Sequence, residues 1–71
     1  MNRRLGPVKR RELIARLKRL GWRGPIPSRH DYMALGRRKV HIPNDKEIDA
    51  GLLRVILNEA GISRDEWFNT D

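Results

Sequence analysis

Apolar residues recur at helical spacing near both ends of the chain and alternate in its middle, and this order limits the fold more than any other feature. Leu13, Ile14, Leu17 and Leu20 fall at offsets of one, four and seven, the stripe of an amphipathic helix that follows Pro7 and stops at Gly21. Leu53, Ile56, Leu57 and Ala60 form a second stripe, with Asp49 as its N-cap and Gly61 as its stop. Between them, residues 22–26 read as a short edge strand or a loop, because Gly24, Pro25 and Pro27 restrict pairing. A strand over residues 29–34, a turn at Leu35-Gly36-Arg37 and a return strand over residues 38–42, ended by Pro43, make a hairpin. Residues 44–48 read as a polar loop. Ser63-Arg64-Asp65-Glu66 is a capping-box pattern opening one last turn, where Trp67 and Phe68 are placed to cover the core.

The order helix, two or three strands, helix, terminal turn predicts an α+β fold, α-β-β-β-α. Both helices cover one face of a small antiparallel sheet and leave the other open. Period-two alternation points Met33, Leu35, Val40 and Ile42 inward, and His30, Tyr32, Lys39 and His41 outward. Asp31 then falls on the inward side, at the strand edge, poorly placed to orient His30. The 71 residues allow one domain, residues 1–71, with residues 1–6 expected to be flexible. Without cysteine no disulfide or thiolate site can support this fold, so packing has to suffice, and any chemistry belongs on a surface or in a shallow groove.

Charge is unevenly placed. Residues 1–44 carry 13 Lys/Arg against Glu12 and Asp31, a net +11, whereas residues 45–71 carry 3 against 7 carboxylates, a net −4. A basic body of this kind attracts polyanions by phosphate contact and counterion release. An acidic protein or an anionic lipid satisfies the same charge, and the cations of the first helix are equally consistent with a solvated face. The N-terminus lacks the apolar region of a signal peptide, and no apolar run approaches the ~18 residues of a membrane span. The expectation is a cytoplasmic protein that does not enter membranes. Two histidines and scattered carboxylates show no metal-ligand spacing, and neither a Gly-rich phosphate loop nor a Ser/His/Asp arrangement can be made, so no cofactor, metal or small-molecule ligand is expected.

Three blocks together resemble the HicA (YcfA-like) toxins of bacterial and archaeal toxin–antitoxin pairs, over roughly residues 9 to 68. The first runs from Glu12 through Leu17 to Gly21-Trp22, similar to the family's opening helix followed by Gly and an aromatic residue. The second is Ser28-Arg29-His30-Asp31-Tyr32 with Gly36-Arg37-Arg38-Lys39-Val40-His41-Ile42-Pro43, like the family's histidine-bearing strand and its basic return strand. The third, Gly51-Leu52-Leu53-Arg54-Val55-Ile56-Leu57 with Ala60-Gly61-Ile62-Ser63, matches the family's last helix and its exit. The resemblance implies a double-stranded-RNA-binding-domain-like fold, ribosome-independent cleavage of mRNA as part of a type II system, and neutralisation by a HicB-type antitoxin. It places the family's functional histidine at His30. Departures are Pro27 where a glycine is usual, one histidine where some members have two adjacent, Asn44 where a histidine is frequent, and Leu52 for a threonine.

Cleaving RNA without metal requires taking a proton from a 2′-hydroxyl, stabilising phosphate charge and protonating the leaving 5′-oxygen. Imidazole suits the proton steps and Lys/Arg the charge. His30 is therefore the candidate acid or base, and Arg29, Arg37, Arg38 and Lys39 are candidate phosphate ligands. Tyr32 is a candidate for base stacking or a ribose hydrogen bond, and His41 for RNA contact or a second proton-transfer group. The competing reading is a non-catalytic RNA-binding module of the same fold. A double-stranded-RNA binder would begin its last helix with lysines, whereas this helix begins Asp49-Ala50-Gly51.

Overall fold

The computed structural model describes residues 4–70. Its elements, in chain order, are β1 (Val8–Lys9), α1 (Arg10–Arg19), β2 (Arg23–Ile26), β3 (Tyr32–Leu35), β4 (Arg38–His41), β5 (Glu47–Ile48), α2 (Ala50–Ala60) and α3 (Arg64–Phe68).

Helix α1 starts at Arg10, and Pro7 lies outside it. Val8 pairs with Ile48 and Lys9 with Glu47, in a two-stranded antiparallel ribbon within what the sequence presented as a polar loop. The ribbon solves a capping problem. Lys9 occupies the N-cap with no side-chain bond to the helix, as lysine has no acceptor to offer. The backbone N–H of Arg10 instead donates to the Lys46 carbonyl at 2.8 Å, satisfying one of the donors a helix start leaves open.

The three-stranded sheet has the order β2-β3-β4. β3 and β4 are in register, Tyr32 with His41, Met33 with Val40, Ala34 with Lys39 and Leu35 with Arg38. Gly36 and Arg37 make the connecting turn, with Gly36 at φ 60°, a conformation glycine adopts without steric cost. β2 is less regular, pairing at Arg23–Ala34 and Ile26–Tyr32 with a shift of register between. Gly24, at φ 128°, allows the close approach there: a Cβ would lie 2.9 Å from the Tyr32 carbonyl oxygen.

Met33 and Val40 face the helices, with Ile42 just beyond the strand, and all three are buried with Leu13 and Leu17 of α1 and Leu53, Ile56 and Leu57 of α2. Each such side chain contributes about 1.5–3 kcal/mol by leaving water. Helix α2 is bounded as its sequence predicts. Asp49 accepts a hydrogen bond from the Leu52 N–H at 2.8 Å, and Gly61 takes the left-handed conformation at φ 71°. The Ser63–Glu66 capping box is present. Trp67 is buried beneath α1, with the Arg16 guanidinium 4.6 Å from its ring centroid.

The α+β arrangement is thus present and compatible with a double-stranded-RNA-binding-domain-like fold. Several details differ from expectation. The second strand of the sheet begins at Tyr32, so Arg29 and His30 lie in the preceding bend. Leu35 has inward parity yet is 42 % exposed, because at the end of the hairpin it meets only the open depression where α1 and α2 end, beside Leu20, Ala60 and Gly61. Of the N-terminal residues expected to be flexible, Met1 to Arg3 lie outside the described residues, and Leu5 packs against the core edge.

Candidate nucleic-acid interface

The open face of the hairpin collects Tyr32, Lys39 and His41 by register alone. Tyr32 and His41 are direct cross-strand partners, and their rings lie 6.5 Å apart at 64°. Lys39 is the diagonal neighbour, with its Nζ 4.9 Å from the centroid of the Tyr32 ring, within cation–π range. His30 reaches the same group from the bend. Its ring centroid is 6.4 Å from that of His41, edge to face at 87°. His30, Lys39 and His41 are exposed and Tyr32 is half-buried.

Of the other candidate residues, Arg29 is exposed in the same bend as His30. Arg37 stands in the turn at the far end of the hairpin, about 13 Å along the strands from His41 at ~3.3 Å per residue. Arg38 shares the parity of buried Val40, and its Nη1 donates to the Ala60 carbonyl at 3.0 Å, on the helix side. A guanidinium there satisfies an orphan acceptor and complements the negative end of the α2 dipole. The structure therefore brings together His30, Tyr32, Lys39 and His41, with Arg29 beside them, and leaves Arg37 and Arg38 apart.

Arg10 is the residue the sequence reading did not single out. From the first turn of α1 its Nη2 meets Asp31 Oδ2 at 3.2 Å, and its Nε donates to the Pro43 carbonyl at 2.9 Å. Asp31 follows His30, and Pro43 lies two residues past His41. The Ile42 N–H also donates to the Asp31 carbonyl at 2.9 Å, so Arg10 ties together the two segments that carry the histidines. Asp31, which parity placed at a strand edge, uses its carboxylate on Arg10. Among other α1 cations, Arg16 bonds the Trp67 carbonyl and Arg19 that of Thr70. Composition shows no difference between these arginines; only the fold separates them.

Among the described residues, no group of three or more His, Cys, Asp or Glu side chains is arranged to hold a metal ion. No helix among them is long and apolar enough to cross a membrane. What the face offers is two imidazoles, a phenol and an ammonium in one cluster, with Arg29 next to His30 in the chain. That set can exchange protons and bind phosphate and a base in one place.

A family model described as the HicA toxin of bacterial toxin–antitoxin matches residues 10–62. The match spans Arg10, the whole hairpin and α2. No curated protein matches the chain, and no solved structure does.

Proposed function

Because the chain belongs to the HicA toxin family, and so is the toxin of a toxin–antitoxin system, we propose that it is a metal-independent endoribonuclease acting on mRNA through His30. The observation that supports this reading is the juxtaposition of His30 and His41, 6.4 Å between ring centroids, beside Lys39 and Tyr32. Two hydrogen-bonding nitrogens on opposite sides of one phosphate stand about 8 Å apart at most, given contacts near 2.8 Å to each oxygen. In the reaction, an imidazole takes the 2′-hydroxyl proton as that oxygen attacks phosphorus. The bond to the 5′-oxygen breaks, and a proton delivered to that oxygen releases the second fragment. His30 performs one of these transfers, with His41 the nearest imidazole for the other. Lys39 holds phosphate charge, Arg29 steers the strand, and Tyr32 stacks a base or contacts the ribose. A HicB-type antitoxin would neutralise the protein by covering this face.

One observation favours the second reading, an RNA-binding module without catalysis: among the described residues His30 has no hydrogen-bond partner to fix its ring. The two readings separate in one experiment. Wild type, His30→Ala and His41→Ala are incubated with long single-stranded RNA in excess EDTA, after circular dichroism has verified folding. Nuclease action predicts cleavage by wild type and a loss of about 10²–10⁴ for His30→Ala. An equal loss for His41→Ala identifies a pair, and full activity there leaves His30 alone. RNA that stays intact while bound by all three proteins supports the binding module.

A further inference from the structure

A second basic surface lies around the edge from the hairpin face. Lys9, Arg10, Arg11 and Ile14 form one wall of an open groove of about 800 Å³, and Asn44, Lys46 and Glu47 form the other. The groove exists because β1 pairs with β5, which brings the start of α1 against the segment following Pro43. Lys9, Arg11 and Lys46 are exposed, and among the described residues none has an ion-pair partner. Of the other α1 cations, Arg10 is engaged with Asp31, and Arg16 and Arg19 with Glu12, while Lys18, in the last turn, lies outside the groove. Three unpaired cations around a concave surface face one carboxylate, that of Glu47.

The groove is also close to the histidine cluster along the chain, and Arg10 lines the one while bonding segments next to the other. His41 ends β4, Pro43 is held by Arg10, and Asn44 already lines the groove. Asn44 is three positions past His41, a reach of at most ~11 Å. A polyanion lying across the histidines therefore meets this groove on leaving them. The cations also stand where α1 presents its positive end, an unfavourable placement that bound phosphate relieves. Ile14 and the Asn44 amide add a short apolar contact and a hydrogen-bonding group.

We infer that this groove is a phosphate-backbone subsite, in which Lys9, Arg11 and Lys46 hold RNA flanking the segment seated on His30, Tyr32, Lys39 and His41. The inference rests on the nuclease reading for its choice of RNA, and its test reads binding so that the two can fail separately. Protein carrying His30→Ala, which prevents turnover, is titrated with fluorescent single-stranded RNAs of about four and about sixteen nucleotides over a range of salt. Each cation that neutralises a phosphate contributes about 0.7 to the slope of log K against log salt. Adding Lys9→Ala, Arg11→Ala and Lys46→Ala together is expected to reduce the slope for the longer RNA by about 2. Each single substitution should remove about a third of that, which covers failure of the triple variant to fold. An undiminished slope for the longer RNA in folded variants overturns the inference, and leaves these cations to a protein partner. An equal reduction for the shorter RNA also overturns it, since the three would then act at the histidine cluster itself.

Discussion

The two faces of the hairpin are made by alternating residues of the same two strands, yet they are built to different standards. On the covered face Met33 and Val40 are buried against α1 and α2. One residue along each strand, Tyr32, Lys39 and His41 gather with His30 in ring and cation–π contacts, Lys39 and His41 exposed and Tyr32 half-buried. The first face leaves no freedom because a void there has no atoms to fill it. The second leaves its polar groups open to solvent, His30, Lys39 and His41 being exposed. The core and the candidate site are thus divided across a single sheet, and substitutions should divide in the same way.

The largest stability effect belongs to the covered face. Leu53 is wholly buried, and Leu53→Ala is expected to cost about 2–5 kcal/mol, read as a lowered denaturant midpoint. His41→Ala, one strand thickness away, should move that midpoint by less than about 0.5 kcal/mol. Comparable losses in the two variants would mean that the open face also holds the fold together, and the division would collapse.

Arg10 is where the division is bridged, and it offers the next test. Its bonds to Asp31 and Pro43 are partly exposed, so Arg10→Met should lower stability by only about 1 kcal/mol. If it positions the histidine segments, cleavage should fall by about ten- to a hundredfold, and Asp31→Asn should fall similarly. The double variant should then lose no more than the worse single one. Additive losses would mean that the two residues act independently, and a silent Arg10→Met would reduce the contact to a brace for the fold.

What the sequence made legible follows the range of the interactions. Helix caps are local, and Asp49, Gly61 and Ser63 each do what their own neighbours dictate. Alternation correctly separated Val40 from Lys39 and His41. It failed at the hairpin's two ends. It ran the strand back through His30 although β3 begins at Tyr32, and it sent Leu35 inward although the end of the hairpin leaves that side chain 42 % exposed. The β1–β5 pairing was invisible because two residues carry no periodic signal and their partners, Val8 with Ile48 and Lys9 with Glu47, are far apart in the chain. The grouping of Tyr32, Lys39 and His41 was readable from parity, while the approach of His30 from its bend, the commitment of Arg38 to Ala60 and that of Arg10 to Asp31 depend on which segments meet in space.

The smallest effect concerns the start of α2, on neither face. Asp49 accepts the Leu52 N–H, and Asp49→Ala should cost about 1 kcal/mol, the usual value of an N-cap. Its effect on RNA distinguishes this protein from a double-stranded-RNA binder, which uses the corresponding helix start to meet phosphates. A carboxylate beside an RNA path repels it, so its removal would tighten binding if α2 lay on that path. With RNA confined to the hairpin face and the neighbouring groove, the substitution should lower the melting temperature and leave RNA affinity and its salt slope unchanged. Tighter binding by Asp49→Ala would put the α2 start beside the RNA and shift the interface from the strands towards the helices.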